Sequence, residues 1–318
     1  MASQLRKEIA AFLIFKRALG YPYQAGEIRL RSFERFATRG RGRRSRIDLS
    51  VEIHAWLLRK PGRKPVTLAN DLGVMRQFCL YRRRRDPGVF VPPVTLAPQT
   101  ESHFVPYVFS RDEIRQLVNA TEGHRGRNFW PGMLRMFLIA TYCTGLRLGE
   151  AARLQLADLD QRRDVLQIRD SKGRSRDVPY RPDLAREFAH YLAQRFDVLR
   201  AAGRDHELAL FVGINGRSIS VRGAWYVISR LIRRVGIKTQ TGRPGPRPYD
   251  LRHAYAVHRL TAWYHEGVDL NARLPWLSAY MGHVNMLGTE VYLHATPELL
   301  QLASDRFAGR FAEPGEVS

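Results

Sequence analysis

Near the end of the chain, in "MGHVNMLGTEVYLH", His283 stands nine residues before Tyr292. Two distant segments, "TGLRLGEA" around Arg147 and "YDLRHAYAV" around Arg252, add two guanidiniums to that imidazole and phenol. These are the groups needed to attack a phosphodiester without a metal. Fixed cations must face the non-bridging oxygens, where charge builds in the transition state, and the arginine fork meets such oxygens at two points. A tyrosine then serves as nucleophile. No pair of Cys or His residues has zinc spacing, and His253 and His258 lie five apart on a helix-patterned stretch. With no GxxxxGK[ST] segment either, neither a metal nor a nucleotide cofactor is expected.

Composition supports a polyanionic partner. The 318 residues carry a formal charge of +22, far more than solubility requires. The charge is uneven: residues 1–100 hold 21 Lys and Arg against 7 Asp and Glu, a net of +14. Arg39, Arg41, Arg43, Arg44 and Arg46 form one cluster and Arg82 to Arg85 another, so the front third reads as the stronger phosphate clamp, or more blandly as a solvated basic face. Two cysteines, Cys79 and Cys143, exclude a disulfide framework and fit a reducing compartment. The N-terminal stretch is broken by Arg6, Lys7, Glu8, Lys16 and Arg17, so it reads as neither signal peptide nor membrane span. A cytoplasmic, nucleoid-associated protein with no membrane partner is the expectation.

The elements that must position these groups follow from periodicity. Leu5, Ile9, Phe12 and Leu13 recur at helical spacing, as do Leu68, Leu72, Met75 and Cys79. The stretch from Asp86 through Pro106 holds five prolines and no helical period, which marks a linker. The expected organisation is a basic helical domain over 1–92, a linker over 93–106 and a second domain over 107–318. Ser110 with Glu113 predicts a capped helix. Pro131 opens a near-continuous apolar helix that Gly145 stops, which sets Arg147 just past a rigid core element. Runs at 165–169 and 174–180 predict a hairpin whose turn holds Ser171, Lys172 and Gly173. The remainder, including "RPDLAREFAHYLAQRF" and "VRGAWYVISRLIRRVG", is patterned as amphipathic helix.

In this order, "TGLRLGEA", the hairpin lysine, "DLRH", "GH" and a tyrosine nine residues on resemble the tyrosine recombinase, or phage integrase, family over essentially the whole chain. The resemblance implies a mainly α fold with a small β-sheet in the catalytic domain, in a two-domain architecture of helical core-binding domain plus mixed α/β catalytic domain. It implies that Arg147 and Arg252 grip the phosphate and that Lys172 protonates the leaving 5′ oxygen. His283 would donate to the phosphate, and Tyr292 would form a 3′-phosphotyrosine link. Glu150 would hold the local helix. Double-stranded DNA is the implied substrate, and a homo- or hetero-tetramer with related recombinases the implied assembly at synapsis. The apolar "TPELLQLASDRFAGRF" would dock on a neighbour or on its own domain. Tyr280 is a second tyrosine nearby, but it precedes His283, against the family's order.

One position departs from the pattern. Three residues before the second arginine, where the family places a histidine, this chain has Tyr249. A phenol of pKa roughly 10 can donate a hydrogen bond to a phosphate but cannot shuttle protons near neutrality. The expected catalytic set is therefore Arg147, Lys172, Tyr249, Arg252, His283 and Tyr292. The stretch between "GVDL" and "GH" is longer than in common members, which predicts an extended helix or loop beside the site. Two other readings use the same residues: a catalytically weakened DNA-binding accessory protein of this fold, which Tyr249 favours, and a type IB topoisomerase-like enzyme.

Overall fold

Apolar residues spaced three and four apart set the first helices, and in the computed structural model those residues are what the helices bury. Described are residues 2–39, 48–98, 106–124, 128–171, 174–238, 245–283, 286–290, 292–293, 301 and 304. The chain folds as two units, Met1–Phe104 and Val105–Ser318.

The first unit holds α1 (Ala2–Ala18), α2 (Gln24–Ala37), α3 (Leu49–Leu58) and α4 (Pro65–Arg83). Leu5, Ile9, Phe12 and Leu13 of α1 meet Leu30 and Phe33 of α2, Ile53 and Trp56 of α3, and Leu72, Met75, Phe78 and Cys79 of α4 in one core. Leu68 packs at its margin. Asp48 caps α3 by accepting from the Ser50 and Val51 amides, and Pro65 opens α4 where its missing N–H costs nothing. Beyond α4, residues 94–96 make a 3-10 turn and Ala97 is buried in this same core. Buried Asp71 holds Arg29 at 3.0 Å, Arg63 at 2.5 Å and Arg59 at 3.6 Å. In the arginine run, Arg82 pairs with Glu8, while Arg84 and Arg85 lie over the rings of Phe15 and Tyr81. Arg41, Arg43, Arg44 and Arg46 lie outside the described residues.

The second unit opens with α5 (Arg111–Asn119), whose Ser110 hydroxyl accepts from the Glu113 amide while the Glu113 carboxylate accepts from the Ser110 amide. The spacing-based expectation of a capped helix is met. α6 (Pro131–Thr144) buries most of its length and ends at Gly145, then α7 (Leu148–Arg153) follows. A three-stranded antiparallel sheet comes next, β1 (Leu159–Asp160), β2 (Val165–Ser171) and β3 (Arg174–Pro179), in order β1-β2-β3. Leu166 faces Val178 and Ile168 faces Arg176 across β2 and β3, so one sheet face carries three apolar side chains and one arginine. The hairpin runs two residues longer on β2 than the apolar run predicts. Lys172 lies outside the described residues. The remaining helices are α8 (Pro182–Ala201), α9 (Val221–Arg234), α10 (Asp250–His265), α11 (Leu270–Met281) and α12 (Leu287–Glu290).

The stretch between "GVDL" and "GH" forms α11, capped by Asp269 and ended by Gly282. α10 and α11 share a small cluster of Val257, Leu260, Leu274, Leu277 and Met281, and Tyr292 packs into it. The apolar segment after Tyr292, with Leu299, Leu300, Leu302 and Phe307, falls outside the described residues. No helix among the described residues is long and apolar enough to cross a membrane.

Gly145 and Gly282 end α6 and α11 in the left-handed region, at φ +61° and +67°. A Cβ on Gly145 would fall 2.5 Å from the Tyr255 ring. Strain and overlap together cost on the order of 1–3 kcal/mol. Gly145→Ala should lower the urea midpoint of the protein correspondingly, and an unchanged midpoint would show that the turn relaxes freely.

Candidate functional site

The two glycine turns bring backbone carbonyls and arginines together. Past Gly145 the chain enters α7 through Arg147, and Glu150, three residues on, reaches back to accept from the Arg147 amide at 2.9 Å. The same carboxylate accepts from Arg147 Nη1 at 2.7 Å and from both terminal nitrogens of Arg176 at 3.2 and 3.0 Å. Arg252 Nη1 lies 3.9 Å from it. Three guanidiniums thus converge on one buried carboxylate.

Each of the three also sends one donor to the end of α11, whose last carbonyls have no partner within the helix and carry the negative end of its dipole. Arg176 Nε donates to the Tyr280 carbonyl at 2.7 Å, Arg252 Nη2 to Met281 at 2.6 Å and Arg147 Nη2 to Gly282 at 2.9 Å. Arg252 Nη1 also donates to the Gly145 carbonyl at 2.6 Å. Arg252 is 1% exposed, and its Nε has no hydrogen-bond partner among the described residues. Burial, with Arg147 close by, lowers the pKa of Arg252.

Beside these cations stand the phenol and two imidazoles. His283 Nδ1 lies 2.6 Å from the hydroxyl of buried Thr289, and its ring is 6.2 Å from that of Tyr292, centroid to centroid. Burial, with Arg252, Arg147 and Arg176 near, lowers the His283 pKa to about 4. Tyr292 is 2% exposed; burial raises its pKa to about 12, against the pull of Arg252. Its hydroxyl is 3.0 Å from His253 Nδ1. His253, on the first turn of α10, is likewise lowered to about 4, by burial and by Arg247 and Arg252, against the pull of Asp250. Tyr249 sits at the start of α10 with its ring edge-on to His253 at 5.1 Å, and it is 40% exposed.

Of the residues the sequence puts forward, Arg147, Arg252, His283 and Tyr292 meet in this one place, and Tyr249 lies at its rim, one ring removed from Tyr292. Lys172 cannot be placed, being outside the described residues. Tyr280, the rival tyrosine, donates its hydroxyl to the Pro179 carbonyl and stacks on Tyr255. Arg176 and His253 were missed. Alternation along β3 held a signal for the first, since Arg176 falls on the face of Val178; the second adjoins Arg252 in "LRH". Glu150 does more than hold its own helix. Among the described residues no group of three or more His, Cys, Asp or Glu is arranged to hold a metal ion.

Both histidines titrate near 4 when folded, against ~6.5 for a free imidazole. Between those values the unfolded chain binds more protons, so stability rises with pH there and is lost as pH falls from about 6.5 towards 4. The urea midpoint should therefore drop across that window. His283→Gln removes one titrating ring and should make the decline shallower, whereas parallel curves for the two proteins would refute the depressed imidazole.

Residues 108–298 match the phage integrase family. The putative integrase/recombinase y4rB of Sinorhizobium fredii is 31% identical over 319 residues, covering 98% of this chain and 99% of that protein. The tyrosine recombinase XerC of Staphylococcus carnosus is 28% identical over 242 residues, 76% of this chain and 74% of its own. Among solved structures, the XerH site-specific recombinase bound to palindromic difH substrate aligns over 96% of this chain and 85% of that one, with a TM-score of 0.66 at 17% identity, a likeness of fold. The family match spans more than half of the chain and y4rB nearly all of it, and on that ground the chain belongs to the phage integrase family, the tyrosine recombinases.

Proposed function

We propose that this protein is a site-specific DNA recombinase that cleaves and rejoins duplex DNA through a covalent 3′-phosphotyrosine link at Tyr292, acting on a mobile element or a chromosomal site. The observation that carries the reading is Arg252: a buried guanidinium, fixed through both terminal nitrogens, with an Nε donor left unpartnered among the described residues beside the Tyr292 phenol. A buried donor of this kind is costly unless an acceptor satisfies it, and a phosphate oxygen is an acceptor that matches its charge. A phosphate there would meet Arg147, Arg252 and the neutral imidazole of His283.

In this mechanism the Tyr292 oxygen attacks phosphorus while the arginines take the growing negative charge on the non-bridging oxygens. The bond to the 5′ oxygen breaks, and Lys172 supplies the proton to that oxygen, as the family resemblance implies. Attack by a 5′ hydroxyl of another strand reverses the step, with no external energy source. The basic residues 1–92 would act as core-binding domain, 93–106 as linker and 107–318 as catalytic domain. A homo- or hetero-tetramer at synapsis and a cytoplasmic, nucleoid-associated location complete the proposal. Its rival, an accessory DNA-binding protein, draws support from Tyr249 alone.

In a duplex nicked near the cleavage point, the short fragment that bears the new 5′ hydroxyl diffuses away after cleavage, which traps the covalent adduct. Wild type should give a shifted band on a denaturing gel, and Tyr292→Phe should bind the same duplex but give none. Adduct formation by the Phe variant would assign the nucleophile elsewhere.

The same assay reads Tyr249. If its hydroxyl donates to the scissile phosphate, Tyr249→Phe should slow cleavage about 100-fold, the scale of one lost transition-state donor, and Tyr249→His should match or exceed wild type. Wild-type rates for both variants would remove Tyr249 from the catalytic set.

A further inference from the structure

We propose that His253 is the general base that takes the phenolic proton of Tyr292, an assignment that rests on the recombinase reading above. A buried phenol is a poor nucleophile while it keeps its proton, and near neutrality it needs an acceptor within hydrogen-bond reach. The imidazole in that position is His253, with Nδ1 3.0 Å from the Tyr292 hydroxyl. His283 has its Nδ1 on the Thr289 hydroxyl instead. Tyr249, where the family resemblance places a histidine, brings a phenol.

The orientation of the His253 ring suits the task. Its Nε2 lies 3.8 Å from Asp250 Oδ1. Asp250 is fully buried, and Arg247 fixes it through its backbone amide at 2.8 Å, Nε at 3.2 Å and Nη2 at 2.8 Å. A proton on Nε2 is favoured by that carboxylate, which leaves the Nδ1 lone pair directed at the phenol. Asp250, His253 and Tyr292 thus stand in line, with the ring braced between Tyr249 at 5.1 Å and Tyr292 at 5.4 Å.

Among the described residues, the charged and titratable groups facing His253 include Asp250, Arg247, Arg252 and Tyr249 around the start of α10, and Tyr292 and His283 from the segment that follows α11. Their balance and its burial keep the ring neutral near pH 7. Such a weak base cannot hold the phenol's proton in the resting protein, so transfer accompanies attack. As the bond from the Tyr292 oxygen to phosphorus forms, its O–H bond breaks and the proton passes to Nδ1, while the 5′ oxygen departs and is protonated by Lys172. The incoming phosphate's negative charge offsets Arg252 and favours the imidazolium. Religation returns the proton from Nδ1 to the phenolate.

The test is the single-turnover rate of adduct formation on the nicked duplex, from pH 5.5 to 9.5. Wild type should be nearly flat above about pH 6.5, and a wild-type rate that climbs about tenfold per pH unit there would assign the proton to hydroxide and overturn the proposal. His253→Asn keeps an acceptor near the Nδ1 position but cannot take a proton. It should bind DNA as wild type does yet form adduct on the order of 100-fold or more slowly at pH 7, with the deficit closing as pH rises. His253→Ala should behave alike and regain rate with added imidazole. A deficit constant across pH and unmoved by imidazole would make His253 a positioning residue and refute the base role. Should wild type form no adduct at any pH, the recombinase reading fails and this assignment with it, whereas normal adduct formation in the His253 variants sinks this assignment alone.

Discussion

Everything at the site depends on how three arginines are held together against their mutual repulsion. Glu150 supplies one buried carboxylate to Arg147 and Arg176 and lies close to Arg252. The last three carbonyls of α11 and its cap each accept from one of the three. A helix end offers fixed acceptors with partial negative charge and no counterion to lose. The cluster keeps a net positive charge because three cations share a single carboxylate. A fully neutralised cluster would have little left for a phosphate.

That surplus charge propagates to its neighbours. His283 is depressed by burial first and by the arginines next, so it faces the site as a neutral ring able to donate or accept a hydrogen bond. Tyr292 feels the opposite balance, because burial raises its pKa more than Arg252 lowers it. The arginines therefore leave the phenol protonated in the resting protein. Among the described residues, the imidazole within hydrogen-bond reach of its hydroxyl is that of His253, on the first turn of α10.

The first unit uses the same chemistry for a different end. Asp71 gathers Arg29, Arg59 and Arg63, and Glu34 takes Arg6 and Arg31. These carboxylates are buried between helices, so part of the chain's large excess of arginine builds the scaffold and is not free for a polyanion. The guanidiniums of Arg84 and Arg85 lie over the rings of Phe15 and Tyr81, and both residues stay exposed. Counting arginines along the sequence does not tell which of them are paired with carboxylates.

What the sequence determined by itself was local or ordered along the chain. Helical spacing marked the buried faces of α1 and α4, Ser110 with Glu113 marked the start of α5, and Gly145 marked the end of α6. The order of Arg147, Arg252, His283 and Tyr292 carried the family, because those residues recur at legible spacing in recognisable segments. Tertiary structure decided the rest. Alternation could put Arg176 on the buried face of β3, but not reveal that its partners are Glu150, on a helix before the sheet, and a carbonyl of Tyr280 some hundred residues on. His253 looked like one more helix residue beside Arg252 until the fold set it against the Tyr292 hydroxyl. Nor could spacing report the pKa shifts, which arise from burial and from charges that are neighbours only in space. Such contacts join residues far apart in sequence, and no local periodicity records them.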